Sequence, residues 1–398
     1  MTSRDLKVCL LGPFWSADVA GFLNPEDGPA LEALPGMGGF SLSALARLRL
    51  QRGLPTEVIT LDPRAESARC FERDGFRYTV CPRRARGMGR TLYRREVAFL
   101  RDALRRSDAD VVHANWAYEY ALAALGDGRP ALVTVRDHSA SVRRQVGWGY
   151  LPNFLITQYV LRRARFLSAV SPYNAAYAAR VSGKPVPVVP NCASPACLEL
   201  GERLAARAPS RRGLTMASAI SSVAYKNPGP AVEAFARVRA KHPFARYRLM
   251  GPGLDPEGGI AAWARGAGLS DGVEFMGSRP HEESIRVFAE SDIILHPSLE
   301  EACSSTVIEA MALGKPIVAG LDAGGTPWVL GEGSAGLLVD VRRPAAIADA
   351  ILRLHSDPEL ADALARAAYS RARSSFGPDV VLKRYAELYE SIRMGWTA

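Results

Sequence analysis

No apolar run in this 398-residue chain approaches the roughly 20 residues that cross a bilayer. The start, Met1-Thr2-Ser3-Arg4-Asp5, leads straight into a short strand-like run, where a secretory signal would carry a longer apolar core. The expectation is a cytoplasmic protein. Six cysteines (Cys9, Cys70, Cys81, Cys192, Cys197 and Cys303) show neither a C-x-x-C nor a Cys/His ligand spacing, which argues against a disulfide framework and a structural zinc. Repeats and low-complexity tracts are missing too. No Asp-x-Asp stands at the carboxyl end of a strand to hold Mg²⁺ by its carboxylates.

What is present begins with charge. The formal net charge is +9, carried mostly by arginine, and favours anionic partners: nucleotide diphosphates, an acidic membrane surface or nucleic acid. Sign alone does not choose among them, and arginine with alanine richness also fits a GC-rich genome. With 48% apolar residues, the chain is too long for one core and is expected to make two domains.

Short β-branched runs alternate with amphipathic helical stretches, the pattern of parallel sheets. Residues 6–12, 56–62, 109–115, 131–137 and 165–171 read as strands of a first unit. Residues 213–219, 246–251, 273–277, 292–298, 315–320 and 335–340 form a second series. Two doubly wound α/β sheets are therefore expected, over 1–191 and 192–378, the boundary following the proline-punctuated "PVPVVPN". A last helix over 379–398, with Tyr385, Leu388, Tyr389 and Ile392 on one face, is expected to return to the first domain.

In such sheets ligands bind beyond the carboxyl ends of the strands. The stretch "LEEACSSTVIEAMALGKPIV" (299–318) falls there: an exit loop, then a helix stopped by Gly314. Two readings of Glu309 stand. Thr306-x-x-Glu309 fits a capping box. Alternatively, the amides around Ser304, Ser305 and Thr306 hold a diphosphate at the helix's positive end, while Glu309 and Glu301 accept hydrogen bonds from vicinal hydroxyls.

Glu301-x7-Glu309, within "HPSLEEACSSTVIEAMALGKPIVAG", resembles the E-x7-E signature of the retaining glycosyltransferases of family 4. The resemblance covers most of the chain: "GMGGFSLSALARLRLQRGLPTEVITLD" looks like the family's glycine pair, helix and second strand, and "DADVVHANW" like its third strand. "FLSAVSPYNAAY…VPVVPNCAS" is similar to its linker approach, "YKNPGPAVEAFARV" to its lysine loop, and "VEFMGSRPHEESIRVFAESDIILHPSLEE" to the run before the signature. The fold so implied is GT-B, two Rossmann-like domains facing a central cleft.

Carried over by position, the resemblance makes Lys226 the contact to the donor diphosphate. The arginine that usually precedes this lysine by about five residues is replaced at or near Ser221, with Arg279 or backbone amides left to compensate. Gly38 and Gly39 match the glycine pair, Gly251 and Gly253 a turn beside the nucleotide, and Ser278 with Arg279 the place where the base is often held. Where the family often shows histidine and aspartate after the fourth strand, this chain has Arg136, Asp137 and His138, any of which could face the reacting sugar. His113 reads either as a structural histidine or as a base beside the acceptor. Trp15 and Phe22, in a long connection before Gly38, could stack on the acceptor or pack on the domain.

The implied reaction is transfer from a nucleotide-diphosphate sugar, UDP-linked in most such proteins, to an acceptor hydroxyl on a small molecule, glycan or lipid-linked carrier. The resemblance implies retention and independence of metal; the nucleotide sugar is a co-substrate. A catalytically silent nucleotide-sugar-binding scaffold is the rival reading. The arginine-rich run 83–106 raises peripheral docking on an anionic inner membrane face. Nucleic acid is not expected, because that run lacks interleaved stacking aromatics beyond Tyr93.

Overall fold

The computed structural model describes residues 6–38, 40–205 and 213–396. The chain divides into two units, Met1–Cys192 with Asp379–Ala398, and Ala193–Pro378. Each is built on one sheet.

The first unit carries β1 (Val8–Leu11), β2 (Thr56–Asp62), β3 (Arg69–Arg73), β4 (Phe76–Pro82), β5 (Val111–Ala114), β6 (Ala131–Val135) and β7 (Phe166–Ala169), in the order β3-β4-β2-β1-β5-β6-β7. Alternate residues of β1 serve opposite faces, as the two-residue strand period demands. Cys9 and Leu11 join Leu100, Val133 and Val160, while Val8 and Leu10 join Leu42, Leu45, Tyr385 and Tyr389. Burial on both faces explains why β1 reads as an unbroken apolar run and β5 as one broken only by His113. The helix Pro378–Trp396 supplies Tyr385, Tyr389 and Ile392 to this core.

Two strands of this sheet were not among the expected ones. β3 pairs antiparallel with β4 through Asp74-Gly75, both residues at positive φ (50° and 80°), as a two-residue hairpin turn requires. The long connection of residues 13–37 folds into three short 3-10 turns and the helix Gly28–Ala33.

The second unit is parallel throughout: β8 (Thr215–Ala219), β9 (Arg246–Met250), β10 (Val273–Gly277), β11 (Ile293–His296), β12 (Ile317–Gly320) and β13 (Leu337–Val339), ordered β10-β9-β8-β11-β12-β13. The order reverses between β8 and β11, which pair through Ile293 and Met216. Crossovers leave in opposite directions at this point, the place where open α/β sheets bind their ligands beyond the strands' carboxyl ends. The site is built there.

Candidate active site

Lys226 ends a 3-10 turn, Ala224–Lys226, that follows β8. The next residue, Asn227, holds a positive φ of 61° and donates from Nδ2 to the Val341 carbonyl at 2.7 Å, which anchors the turn ahead of the helix Pro228–Lys241. From the β11 side, Leu299 donates its amide to the Tyr225 carbonyl at 2.8 Å. The two loops are thereby stitched together.

At that stitch Lys226 Nζ donates to Glu301 Oε1 at 2.5 Å, and His296 Nε2 donates to the same oxygen at 2.9 Å. Burial alone would raise the Glu301 pKa; the Lys226 charge and the His296 hydrogen bond outweigh it and lower the pKa to about 2. The carboxylate is therefore ionised at any physiological pH. Around it, His296 Nδ1, Ser298 Oγ and Thr326 Oγ1 are buried without a hydrogen-bond partner among the described residues. The Glu301 carbonyl accepts from the Gly325 amide at 2.7 Å, which brings the Thr326 turn to the same loop.

The helix that follows, Ser305–Ala312, is capped by Ser304, whose Oγ accepts from the Val307 amide at 3.3 Å. Thr306 lies inside the helix, so Thr306 and Glu309 do not form a capping box. Glu309 instead accepts from His281 Nε2 at 2.7 Å, His281 being the first residue of the helix His281–Glu290. Each glutamate of the pair thus carries its own histidine. Both histidines stand in the stretches that resemble the family, but spacing alone does not say which side chains meet across elements.

Beside the β8 loop, Gly251 is required by space: a Cβ there would lie 1.6 Å from the Ile220 carbonyl oxygen. Gly253 follows at a φ of 75°, against Ser222. Ser221 is half-buried, with no arginine in its place. Ser278 and Arg279 are exposed beyond β10, the edge strand, and Arg279 leans toward Glu283 at 3.9 Å. Of the expected donor-side residues the structure brings Lys226 and Glu301 into direct contact, and Ser304, Ser305, Thr306 and Glu309 onto the adjoining helix. Among the described residues no group of three or more His, Cys, Asp or Glu side chains is gathered as a metal site.

In the first unit, Asp137 and His138 follow β6. Asp137 Oδ2 accepts from Tyr118 and from Tyr150 at 2.6 Å, while Oδ1 is buried without a partner among the described residues. Burial raises its pKa, against the pull of both tyrosine hydroxyls. His138 caps the helix Ser139–Val146, its Nδ1 accepting from the Ser141 amide at 3.2 Å, and its ring stacks 4.0 Å from that of Tyr177. Burial lowers its pKa to about 4, so the ring is neutral at pH 7 with its proton on Nε2. Arg136 donates to Asn115 Oδ1 at 3.1 Å and to Asn191 Oδ1.

His113 requires a correction. It is fully buried, its Nδ1 bonded to the Tyr389 hydroxyl at 2.8 Å and its Nε2 to Thr134 at 2.7 Å, so no ring atom is left for an acceptor. It pins the last helix to the sheet. Trp15 is exposed and its indole lies 3.7 Å from where a Cβ on Gly38 would stand; Phe22 packs partly buried against the core. Gly39 lies outside the described residues.

Two parallel-sheet Rossmann-like units, with a lysine and a glutamate meeting at the switch point of the second, define a protein of the GT-B glycosyltransferase fold. Known proteins agree. Residues 36–192 match the family model "Glycosyl transferase 4-like domain" and residues 214–371 the model "Glycosyl transferases group 1". The chain belongs to the family-4 glycosyltransferases. A D-inositol 3-phosphate glycosyltransferase of Corynebacterium urealyticum is 32% identical over 173 residues, covering 42% of this chain and 40% of that protein. The match thus spans about two fifths of that curated relative's length. Among solved structures, a sucrose-phosphate synthase from Thermosynechococcus elongatus superposes with a TM-score of 0.74 at 19% identity, covering 98% of this chain and 100% of that one. Anabaena Alr3699/HepE, solved in complex with UDP-glucose, gives 0.67 at 17% identity, covering 97% and 100%.

Proposed function

We propose that the protein transfers a sugar from a nucleotide-diphosphate donor, a UDP-sugar by preference, to an acceptor hydroxyl, with retention of anomeric configuration and without metal or cofactor. The observation that carries this reading is the convergence of Lys226 and His296 on one oxygen of Glu301. A buried, ionised carboxylate with a lysine beside it can exchange that cation for ligand hydroxyls while His296 keeps it oriented. Lys226, released, stabilises the negative charge that grows on the departing diphosphate. The amides of Ser305 and Thr306 oppose the same phosphates at a helix N-terminus, and Glu309 accepts from the ribose.

In the first unit, His138 acts as a hydrogen-bond donor through Nε2, because Nδ1 is spent on its cap. The leaving phosphate deprotonates the incoming hydroxyl on the face it departs from. The glutamates grip hydroxyls and need not behave as a glycosidase pair, so their spacing does not set the stereochemistry.

The absence of an arginine at Ser221 favours one alternative, a silent nucleotide-sugar binder. Incubating the purified chain with UDP-, GDP- and ADP-sugars, with EDTA present, separates them. The proposal expects stabilisation by UDP-sugars and slow release of UDP; stabilisation without any release supports the silent binder, and a response to GDP- or ADP-sugars alone contradicts the donor assignment.

A further inference from the structure

The first unit carries an outward face that the transfer reaction does not use. Between β6 and β7 the chain forms the helix Ser139–Val146, a turn at Trp148–Tyr150, and the helix Leu151–Arg163. The second helix buries Ile156, Thr157, Val160 and Leu161. Its opposite side shows Leu155 and Tyr159, each 54% exposed, followed by Arg162, all spaced to share one stripe. Trp148, 78% exposed, and Val146, 53% exposed, continue the surface at the helix's start.

A second segment joins it. A Cβ on Gly89 would lie 3.4 Å from Pro152, and Tyr93 donates to Asn153 Oδ1 at 2.9 Å, which sets the exposed Leu92 beside the same helix. Large apolar side chains left in water on several adjoining elements point to a partner.

Charge says which partner. From His138 to Leu198 the sequence holds no aspartate or glutamate, and from Gly75 to Arg95 again none. Arg144, Arg162 and Arg163 are exposed on the first segment, and Arg90 and Arg94 on the second. Arg143 stands 5.2 Å over the rings of both Trp148 and Phe154, a cation held in the aromatic patch itself. Glu96 and Glu119, on neighbouring helices, are buried, Glu96 in a pair with Arg84.

Much of the expected basic run is thereby spent internally: Arg84 on Glu96, Arg105 on Asp102, and Arg101 on the Leu122 carbonyl. Arg90, Arg94, Arg144 and Arg163 lie exposed with the apolar stripe, and Arg162, tethered to the Gln158 carbonyl at 2.9 Å, carries its charge on the same side. An interfacial tryptophan and tyrosine, protruding aliphatics and an arginine rim without acidic neighbours match the boundary of an anionic bilayer. Nucleic acid would be gripped by stacking aromatics, not by Val146, Leu155 and Leu92. No helix among the described residues is long and apolar enough to cross a membrane, so contact through this face is peripheral.

We infer that the surface formed by Leu92, Val146, Trp148, Leu155 and Tyr159 with its arginine rim seats the protein on an anionic lipid bilayer. Tyr150, in the turn that presents Trp148, also bonds Asp137. Seating would thus place the Asp137 end of β6 near the lipid surface, where a lipid-linked acceptor hydroxyl is found.

The test is co-sedimentation of the full chain with vesicles of phosphatidylcholine alone or mixed with phosphatidylglycerol. Binding is expected only to the mixed vesicles, and to weaken as salt rises. Trp148→Ser combined with Leu155→Ser, and separately Arg144→Gln with Arg162→Gln, should each reduce it by at least about tenfold, the cost expected for losing two surface cations. Melting temperature should not move. Phe244→Ser, at a 91% exposed aromatic of the second unit, should change nothing. Failure to bind mixed vesicles, equal binding by all variants, or a solution dimer dispersed by Trp148→Ser would overturn the inference. The last outcome would make this face a contact between copies.

Discussion

Replacing Lys226 with methionine removes one charge while keeping most of the side chain's volume, and its consequences can be worked from the site. The Glu301 pKa falls from 4.5 to about 2 in the folded chain. At 1.36 kcal/mol per unit this represents about 3 kcal/mol of preferential stabilisation of the ionised form, shared between Lys226 and His296. Lys226 and Glu301 are mostly shielded, at 21% and 13% side-chain exposure, so solvent screening takes only part of it.

Loss of the lysine should cost roughly 1–3 kcal/mol at pH 7, because the buried carboxylate keeps its desolvation penalty and loses its charge partner. The sign with pH follows from the depressed pKa. Stability from the ion pair is complete above about pH 5 and is lost as the pH falls toward 2, so the deficit of the variant should be large at pH 7 and shrink by pH 3.5. Urea unfolding of both proteins at the two pH values measures it. Adding Glu301→Gln closes a double-mutant cycle whose coupling should also be about 1–3 kcal/mol. A deficit independent of pH, or a coupling near zero, would refute the reasoning.

Other expectations follow from the same geometry. Glu309→Gln should weaken UDP binding about tenfold or more, as expected when a charged acceptor is lost, whereas His281→Ala should leave it equal or tighter; titration calorimetry checks both. Unchanged affinity in Glu309→Gln would remove the ribose role. Asp137 has a raised pKa, so ionising it destabilises the fold as pH rises. Asp137→Asn should therefore melt no lower than the parent at pH 8 while turnover falls and donor KM stays level, which a paired thermal and kinetic assay would show. His113→Phe takes the His113 partner from the Tyr389 hydroxyl, while Thr134 keeps Ser168 at 2.7 Å, and should cost about 1–3 kcal/mol in urea unfolding without changing either substrate's KM.

Most of the fold was legible because parallel strands buried on both faces leave continuous apolar runs. Every expected run contains a strand. The hairpin of β3 and β4 escaped because β3, "RCFER", is exposed at four of its five residues and carries charge where a buried strand carries valine. Asp74-Gly75 between the two runs was the signal that could have found it. At the site, sequence spacing placed Glu301 and Glu309 one loop and one turn apart, but not His296 and His281. Those contacts depend on where β11 ends and where the helix His281–Glu290 begins. The capping-box reading failed for a related reason: Ser304 reaches the amide first, and Thr306 has no cap to make. Of the two readings of His113 the structural one holds, since the returning helix covers it with Tyr389 and Thr134 takes its other nitrogen.

The proposed transfer requires Lys226 to exchange one anion for another. A crystal structure of the protein soaked with UDP tests this directly. The expected result has diphosphate oxygens within hydrogen-bond distance of Lys226 Nζ and of the Ser305 and Thr306 amides, the ribose on Glu309, and Glu301 still held by His296. UDP bound elsewhere, or bound there while Lys226 remains paired with Glu301, would contradict it.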